Sequence, residues 1–423
     1  MVSIGIIGAG PAGIAAARVL IANDRSYDID LFETSSKIGG VWNYDPKSNN
    51  TAMYDVLETN LSSHLMAFKD YPFTNIDPNI KTFPGREQVQ QYLASYYDST
   101  VANYSKLRLF TEKRVISLEK VDSHWELNAD YDDSTYIYDY IVVANGHFNK
   151  PFIPTVPGSY QWKNQSHSKN FVNSEHYRGL NVIVVGNATS ATDIATQIST
   201  TASKVYHSVK PDAKTNWPAN SIIEVVSQIQ SLDEPNSNTV HFIDGTSIQN
   251  VDHIIWATGF QYDVPFLKSY HSDLFRNQSN RLYNLWEQIV YKPDPTIFFS
   301  LLPKNIIPFQ LAELQASIID LVILGLITKS DMVDANNDNI TSSDYHSLPT
   351  PQDIEYYQHL GLIVDKHGPD SKFKPLTWTD SLVQERISSS AVKAERQKLL
   401  VQWAIHQNLQ NKPYSIPPDD FTG

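Results

Sequence analysis

The chain has 423 residues and contains no cysteine. Disulfides, thiolate nucleophiles, cysteine-ligated zinc and iron–sulfur clusters are therefore excluded, and so is any reductase that passes electrons through a cysteine pair. Positive charge is also scarce, because 33 Lys and Arg stand against 46 Asp and Glu and leave a net charge of −13. A nucleic-acid partner is not expected, since binding to phosphates depends on cations.

Long apolar runs are missing as well. The most apolar later stretch, IIDLVILGLI, contains Asp320 and is shorter than the roughly 20 residues that a membrane span needs. It predicts a buried core helix. The amino terminus shows no basic region followed by a cleavable apolar run, and the carboxyl-terminal residues are polar. We expect a cytoplasmic protein without a transmembrane segment, and peripheral membrane association stays open.

Two stretches share one order of strand, glycine-containing turn and helix. GAGPAG follows the strand IGII, and the later strand IVVANG begins two residues after Asp139. In the same order, GNATSA follows the strand VIVV, and IIWATG begins two residues after Asp252. The same order twice in one chain predicts an α/β fold with two doubly wound dinucleotide-binding (Rossmann-like) domains, one inserted into the other.

The first turn carries the full dinucleotide pattern. Gly8 permits the tight turn, Gly10 lets the backbone approach a pyrophosphate, and Gly13 lets helix and strand pack closely. The helix amino terminus presents N–H groups to the anion. Glu33 lies 20 residues beyond Gly13 at the end of the next strand, where an acid accepts hydrogen bonds from ribose hydroxyls.

The second turn departs from the pattern in two ways. Ala188 replaces the middle glycine of the turn that starts at Gly186, and the following strand, KVYHSVK, ends without an acid. That strand offers His207 and Lys210 instead. A cation there would bind the 2′-phosphate of NADPH and so favour NADPH over NADH. The alternative is that Lys210 is an ordinary solvated lysine.

Two nucleotide sites without a cysteine pair suggest direct hydride transfer from NADPH to a flavin. Molecular oxygen is one outlet for the electrons of the reduced flavin, and quinones or a partner protein are others. We expect an FAD-binding domain made of two parts of the chain, residues 1–165 and residues 287–423. We expect NADP to bind in the domain inserted between them, residues 166–286. No metal site is expected.

Several segments resemble those of the flavin-containing monooxygenases, and the resemblance runs from Gly5 to about Leu326. The segments are GGVWNY, MYDVLETNLSSHLMAFKDYPF, FPGREQVQQYL, VVANGHFNKPFIPTVPG, IIWATGFQYDVPFL and PTIFFSLLPKNIIPFQLAELQA. The identifying motif of the family matches only in its second half, HSKNF. The chain is identified as a soluble member of fungal or bacterial type that lacks a carboxyl-terminal membrane anchor.

The resemblance implies a defined activity. In this family NADPH reduces FAD, oxygen forms a C4a-hydroperoxyflavin, and a soft nucleophile such as a thiol, sulfide or amine is oxygenated while NADP⁺ is retained. The implied partners are such a small nucleophile and O2, and a homodimer is kept open. The alternatives are a Baeyer–Villiger or N-hydroxylating monooxygenase, or a decayed flavoprotein that acts as an NADPH oxidase or electron carrier.

The resemblance also implies the site residues. Asn60 is the expected catalytic residue, where a neutral amide can donate and accept hydrogen bonds; the alternative is that Asn60 only caps a turn or helix. The expected FAD contacts are Gly8, Ala9, Gly10, Pro11, Ala12, Gly13, Glu33, Gly40, Val41, Trp42, Asn60, Leu61, His64, Val115, Ala144, Gly146, Gly259, Phe309 and Gln315. The expected NADP contacts are Thr59, Asn60, Gly186, Asn187, Ser190, Ala191, Thr192, Asp193, His207, Lys210 and Thr258.

Overall fold

The computed structural model describes residues 2–47, 51–213, 215, 217–233, 237–276, 280–333, 345–418 and 421. The chain divides into two compact units, each assembled from three stretches. The first unit comprises Met1–Asn43, Leu61–His147 and Gln261–Ser390. The second unit comprises Tyr44–Asn60, Phe148–Phe260 and Ala391–Gly423.

Helices and strands alternate along much of the described chain. The helices are α1 (Pro11–Ala22), α2 (Ser63–Met66), α3 (Arg86–Thr100), α4 (Thr189–Ile198), α5 (His271–Phe275), α6 (Pro308–Ile323), α7 (Gln352–His367) and α8 (Asp380–Leu409). The strands are β1 (Ser3–Ile7), β2 (Asp28–Phe32), β3 (Leu107–Phe110), β4 (Val115–Val121), β5 (His124–Ala129), β6 (Thr135–Tyr138), β7 (Tyr140–Val143), β8 (Lys150–Pro151), β9 (Gln165–His167), β10 (Asn181–Val185), β11 (Lys204–Ser208), β12 (Ile223–Val226), β13 (Ile229–Leu232), β14 (Val240–Phe242), β15 (Ser247–Ile248), β16 (His253–Trp256), β17 (Phe260–Gln261), β18 (Leu285–Trp286), β19 (Val290–Tyr291) and β20 (Ile297–Phe299). The predicted α/β class is confirmed.

The first unit is built on a seven-stranded sheet in the order β18-β19-β20-β7-β1-β2-β3. Strands β20, β7, β1, β2 and β3 are parallel, and β18 and β19 add an antiparallel edge. Ser3 lies beside Asp28 and Ile7 beside Phe32 in the register of β1 and β2. Four consecutive residues of β1 are buried, because a parallel sheet is covered on both faces. Strands β4, β5 and β6 form a separate antiparallel sheet.

Helix α6 is a core helix, as the apolar run predicts. Every residue from Phe309 to Ile323 is buried, and α6 packs against α1 and α7. Its Asp320 is fully buried and accepts hydrogen bonds from Asn23 Nδ2 at 2.8 Å and Tyr27 Oη at 3.0 Å. No helix in the described residues is both long and apolar enough to cross a bilayer.

The buried Glu313 of α6 makes folding depend on pH. Tyr96 Oη donates to its Oε1 at 2.7 Å and the Lys69 N–H donates to its Oε2 at 2.9 Å, but burial dominates and raises its pKa to about 7. The unfolded chain has the ordinary, lower pKa and loses this proton first as the pH rises. The free energy of unfolding therefore falls between about pH 4.5 and about pH 7.

We expect Glu313→Gln to remove this part of the pH dependence. The amide can accept from the Lys69 N–H and donate to the Tyr96 hydroxyl, so the local hydrogen bonds survive. Between about pH 5 and about pH 8, the parent protein should lose roughly 2–3 kcal/mol more unfolding free energy than the variant. Urea unfolding of both proteins, loaded with the same cofactor, measures the difference. Parallel pH profiles would contradict the assignment to Glu313.

The second unit is built on a five-stranded parallel sheet in the order β12-β11-β10-β16-β9, and β13, β14 and β15 form a smaller antiparallel sheet. The order β11-β10-β16 repeats the order β2-β1-β7 of the first unit. Asp139 Oδ2 accepts from the Ser3 N–H at 2.8 Å, and Asp252 Oδ2 accepts from the Asn181 N–H at 2.8 Å. In both units, the aspartate that precedes a central strand therefore makes the same contact: its carboxylate accepts a hydrogen bond from the first N–H of the neighbouring strand.

The compact units group residues differently from the predicted domains. Residues 44–60 and 391–423 belong to the same unit as most of the predicted inserted domain, 166–286. The reason is long-range contact: Arg396 pairs with Glu58 across more than three hundred positions of the chain. Local sequence patterns do not show such pairs. The division of FAD and NADP between domains stays a prediction.

Candidate functional site: two glycine-rich turns

The first glycine-rich turn joins β1 to α1. Gly8 has a φ of 110°, and a Cβ on it would lie 2.4 Å from the Ala144 carbonyl oxygen at the end of β7. A Cβ on Gly13 would lie 1.9 Å from the Gly8 carbonyl oxygen. Neither position has room for a side chain, as the pattern predicts. The turn holds the amino terminus of α1 against the end of β1.

A second glycine pair packs on this turn. The Gly39 N–H donates to the Ala9 carbonyl oxygen at 2.8 Å. A Cβ on Gly40 would lie 2.8 Å from the Cα of Gly10, so the two backbones are in direct contact. The fold thus brings together GAGPAG and the GGVW segment, which are both expected to bind FAD.

Glu33 lies directly after β2 beside the same turn, and only 7% of it is exposed. Its Oε2 accepts from the Ala9 N–H at 2.9 Å, and its Oε1 accepts from the Ser35 N–H at 2.8 Å. Each carboxylate oxygen keeps further capacity to accept a hydrogen bond. This arrangement fits the ribose of a dinucleotide whose pyrophosphate lies at the α1 amino terminus.

The second turn repeats the geometry of the first. Gly186 has a φ of 126°, and a Cβ on it would lie 2.4 Å from the Ala257 carbonyl oxygen. The Gly186 N–H donates to Ser208 O at 3.0 Å, just as the Gly8 N–H donates to Phe32 O at 2.8 Å. This strand, turn and helix therefore match the first site in backbone detail.

Ala188 stands where the first turn has Gly10. Ala188 precedes α4 with φ −87° and ψ 176°, and Gly10 precedes α1 with φ −79° and ψ −173°. An alanine adopts this extended backbone without strain because φ is negative. Residues 187–190 are exposed, so the amino terminus of α4 is accessible to an anion. The missing glycine does not alter the backbone of the turn.

His207 supports the turn at Gly186 by a hydrogen bond and does not supply the expected positive charge. It is fully buried; its Nε2 donates to the Gly186 carbonyl oxygen at 2.6 Å, and its Nδ1 accepts from Trp217 Nε1 at 3.1 Å. Burial lowers its pKa below the ordinary value. Since both ring nitrogens are engaged and the ring is neutral, the structure revises the expectation of a cationic His207.

The position equivalent to Glu33 is occupied by Val209. The Val209 N–H donates to Val226 O at 3.1 Å, and the Glu33 N–H donates to Phe110 O at 2.8 Å at the corresponding place. Val209 is buried, and the next residue, Lys210, is exposed. The second site therefore has an apolar residue at the position of the acid and a cation beside it.

Several known proteins are similar to this chain in sequence. A model of the pyridine nucleotide-disulphide oxidoreductase family matches residues 5–291. The thiol-specific monooxygenase of Saccharomyces cerevisiae is 37% identical, over 97% of this chain and 97% of its own. The flavin-containing monooxygenase FMO GS-OX5 of Arabidopsis thaliana is 29% identical, over 77% of this chain and 74% of its own. The chain belongs to the flavin-containing monooxygenase family.

A solved structure supports the same relationship. The S-allyl-L-cysteine S-oxygenase of Allium sativum superposes with a TM-score of 0.79 at 25% identity, over 96% of this chain and 98% of that one. This monooxygenase uses FAD and NADPH as cofactors. Its two glycine turns fit two dinucleotides, because each joins a strand directly to a helix amino terminus that can receive the pyrophosphate. The turn at Gly8 and the carboxylate of Glu33 would hold FAD, which would supply a hydride acceptor for NADPH and an electron donor for oxygen.

Two groups of the residues expected at FAD lie in the first unit of the monooxygenase. Those near the first turn are Gly8, Ala9, Gly10, Pro11, Ala12, Gly13, Glu33, Gly40, Val41, Trp42, Ala144 and Gly146, which follow β1, β2 and β7, begin α1 or lie in a short 3-10 helix, Gly40–Trp42. Val115, Phe309 and Gln315 are buried in β4 and α6 of the same unit. Gln315 Oε1 accepts from the Leu301 N–H at 2.8 Å, so this amide already has an internal partner. Their contact with FAD stays a prediction.

Gly259, expected at FAD, lies in the second unit beside Thr258, expected at NADP. The Gly259 carbonyl oxygen accepts from Phe152 N–H and from His167 Nε2, both at 2.9 Å. Thr258 Oγ1 donates to the Phe152 carbonyl oxygen. His167, from the partly matching identifying motif, thus supports this turn, a role that its sequence context alone did not reveal.

The α4 residues expected at NADP point in different directions. Ser190 is exposed at the turn, whereas Ala191 is buried behind Gly186. Thr192 Oγ1 donates back to the Ala188 carbonyl oxygen at 3.4 Å. Asp193 accepts from the Tyr54 hydroxyl inside the unit, and burial raises its pKa to about 6. Asp193 is thereby engaged away from the opening of the turn.

Asn60 ends the first stretch of the second unit and is exposed, whereas Thr59 is only 3% exposed. Within the described part of the chain, no hydrogen bond involves the Asn60 side-chain amide. The cap of α2 is Ser62, whose Oγ accepts from the Leu65 N–H at 3.1 Å, so Asn60 does not cap this helix. His64 on α2 is exposed, with its Nδ1 2.7 Å from a Glu385 carboxylate oxygen.

Proposed function

We propose that the monooxygenase oxygenates the sulfur of small thiols or thioethers. The main support for this proposal is the thiol-specific monooxygenase of Saccharomyces cerevisiae, which is 37% identical over nearly the full length of both chains. The Allium S-oxygenase, similar over 96% of this chain, supports sulfur as the acceptor atom. Sulfur is a polarisable nucleophile that can attack oxygen directly. The enzyme therefore needs no general base to activate the substrate.

In this proposal the two turns hold the two cofactors. The turn of Gly8 and the carboxylate of Glu33 would bind the adenosine end of FAD, and the turn of Gly186 would bind NADPH. Lys210 would meet the 2′-phosphate. The neutral amide of Asn60 would hold NADP⁺ and donate a hydrogen bond where oxygen reacts. The protein's remaining task is to exclude water, because a wet site releases hydrogen peroxide.

A substrate panel tests the proposed function. FAD-loaded protein is supplied with NADPH and, separately, a thiol, a thioether, a tertiary amine or a cyclic ketone. We expect one oxidised sulfur product for each NADPH consumed. The thioether should give a sulfoxide that carries labelled oxygen in mass spectrometry, whereas the thiol should give a disulfide, because a sulfenic acid condenses with a second thiol and releases the oxygen as water. Oxidation of the amine alone would indicate N-oxygenation, and a lactone would indicate a Baeyer–Villiger enzyme. Hydrogen peroxide with every compound would indicate an oxidase. Each of these three results would overturn the proposal.

Lys210→Ala should weaken NADPH selectively. Loss of a charge-assisted contact to the 2′-phosphate should raise the KM for NADPH by roughly 10- to 100-fold. NADH lacks this phosphate, so its KM should change by less than about twofold. Lys204→Ala is the matched control, because Lys204 begins β11, the strand that ends two residues before Lys210, and pairs with Glu224 at 3.0 Å. Equal losses for both cofactors in Lys210→Ala would exclude the proposed contact.

A further inference from the structure

The segment that leads to Asn60 is fixed to helix α4. The Tyr54 hydroxyl donates to the carboxylate of Asp193, and Gln197 Nε2 donates to the Val56 carbonyl oxygen at 2.6 Å. Asp193 and Gln197 lie one helical turn apart and are themselves joined at 3.1 Å. The first half of the segment therefore follows the helix that begins at the second glycine turn.

The last two residues before Asn60 are held by helix α8. Arg396 donates twice to Glu58, from Nη2 to Oε1 at 2.7 Å and from Nε to Oε2 at 3.2 Å. Lys393 Nζ donates to the Thr59 carbonyl oxygen at 3.0 Å. Lys393 and Arg396 are three positions apart and so share one face of the helix. The Glu58 side chain is only 6% exposed, so solvent and salt screen its ion pair weakly.

These contacts end immediately before Asn60. The Asn60 amide makes no hydrogen bond with any other residue that the structure describes, so its position follows from the backbone of Glu58 and Thr59. That backbone is tied down by a side-chain ion pair and by a hydrogen bond to a main-chain carbonyl. Both contacts are made by residues of α8. This helix lies outside residues 5–291, which are the residues that match the family model.

We propose that Lys393 and Arg396 are positioning residues for the oxygenation reaction and act through Asn60. They hold Glu58 and Thr59, so that the backbone from which the Asn60 side chain extends stays at one place. The inference rests on the proposed role of Asn60 in coupling NADPH oxidation to product formation. Neither cation contacts the reacting atoms in this scheme, so loss of either should affect coupling more than NADPH oxidation.

Lys393→Met tests this directly, because methionine keeps the apolar stem and removes the donor. We expect product per NADPH to fall roughly tenfold or more, since a small misplacement of a catalytic group has effects of this size. Hydrogen peroxide should account for the missing product, while FAD content and the rate of NADPH oxidation change by less than about twofold. Arg396→Lys keeps the charge but loses the two-point contact, and it should fall between the parent and Lys393→Met.

A control and a double variant separate positioning from a general structural role. Lys398→Ala removes a lysine from α8 whose side chain is 68% exposed, and its coupling should equal that of the parent. Asn60→Ala combined with Lys393→Met should be no less coupled than Asn60→Ala alone, because both changes act on one group.

The outcomes distinguish the positioning role of Lys393 and Arg396 from the proposed role of Asn60, on which it rests. Parent-like coupling in FAD-loaded Lys393→Met, or additive losses in the double variant, would overturn the positioning role alone. Parent-like coupling in Asn60→Ala would overturn the role of Asn60 itself. If Lys393→Met does not retain FAD, the same criteria apply to Arg396→Lys and to its combination with Asn60→Ala.

Discussion

Asn60→Ala is expected to convert the enzyme from an oxygenase into a source of hydrogen peroxide. The change removes a neutral amide that can donate and accept hydrogen bonds, and it leaves space for water. The variant should keep FAD and oxidise NADPH at a rate within a few-fold of the parent, but product per NADPH should fall by roughly two orders of magnitude. A decrease of about 100-fold is typical when an enzyme loses one hydrogen-bond donor that stabilises the negative charge developing in the transition state.

Asn60→Asp sharpens the same test. It preserves the size of the side chain but replaces the donor with a carboxylate, which would repel negative charge that develops on oxygen. It should be as uncoupled as Asn60→Ala. Asn103→Ala is the control, because Asn103 is also exposed and lies far along the chain between α3 and β3. The measurements are product by mass spectrometry and peroxide by a peroxidase assay. Normal coupling in a folded, FAD-loaded Asn60 variant would refute its role.

Equivalent substitutions in the two glycine turns should separate the two cofactors. Gly8→Ala places a Cβ 2.4 Å from Ala144 O at a φ of 110°, and Gly186→Ala places one 2.4 Å from Ala257 O at a φ of 126°. Both combine left-handed strain with a backbone clash, so each turn must distort. We expect Gly8→Ala to lose FAD affinity by at least about 100-fold and to purify colourless.

Gly186→Ala should give the opposite pattern. It should purify yellow with about one FAD per chain, yet NADPH should reduce the flavin at least about 100-fold more slowly at low NADPH concentration. Dithionite should still reduce it at the normal rate. Gly325→Ala is the control, since Gly325 has a φ of 70° but no atom of the described residues lies within 4 Å of the place that its Cβ would take. Loss of FAD from Gly186→Ala with retention in Gly8→Ala would reverse the assignment of the turns.

The parts of the fold that sequence predicted well depend on local patterns. The buried face of α3, formed by Val89, Tyr92, Leu93 and Tyr96, follows from helical spacing alone. The glycines at positions 8 and 186 follow from a turn that needs positive φ. In each case the physical cause lies within a few residues, so the order of residues is sufficient to reveal it.

Strand pairing was harder to predict. The segments RLFTEKRVISLEKV and HWELNADY alternate in hydrophobicity, which predicts an antiparallel hairpin region, but β3 at the start of the first segment pairs in parallel with β2 at the edge of the main sheet. The antiparallel sheet of this region is formed by β4, β5 and β6 instead. A short alternating strand can join either sheet, and the choice depends on which partner is near in three dimensions.

The amino-acid order by itself determined that this chain carries two strand–turn–helix units with glycine turns, no cysteine chemistry and an acid after the second strand of the first unit only. Tertiary structure decided what the neighbouring side chains do. It buried His207 beneath the turn as a neutral ring and placed Val209 where the first site has its acid. It also brought Lys393 to the Thr59 carbonyl oxygen across 334 positions of the chain. A turn is encoded by its own residues, whereas burial, charge state and long-range contact depend on every element packed around them.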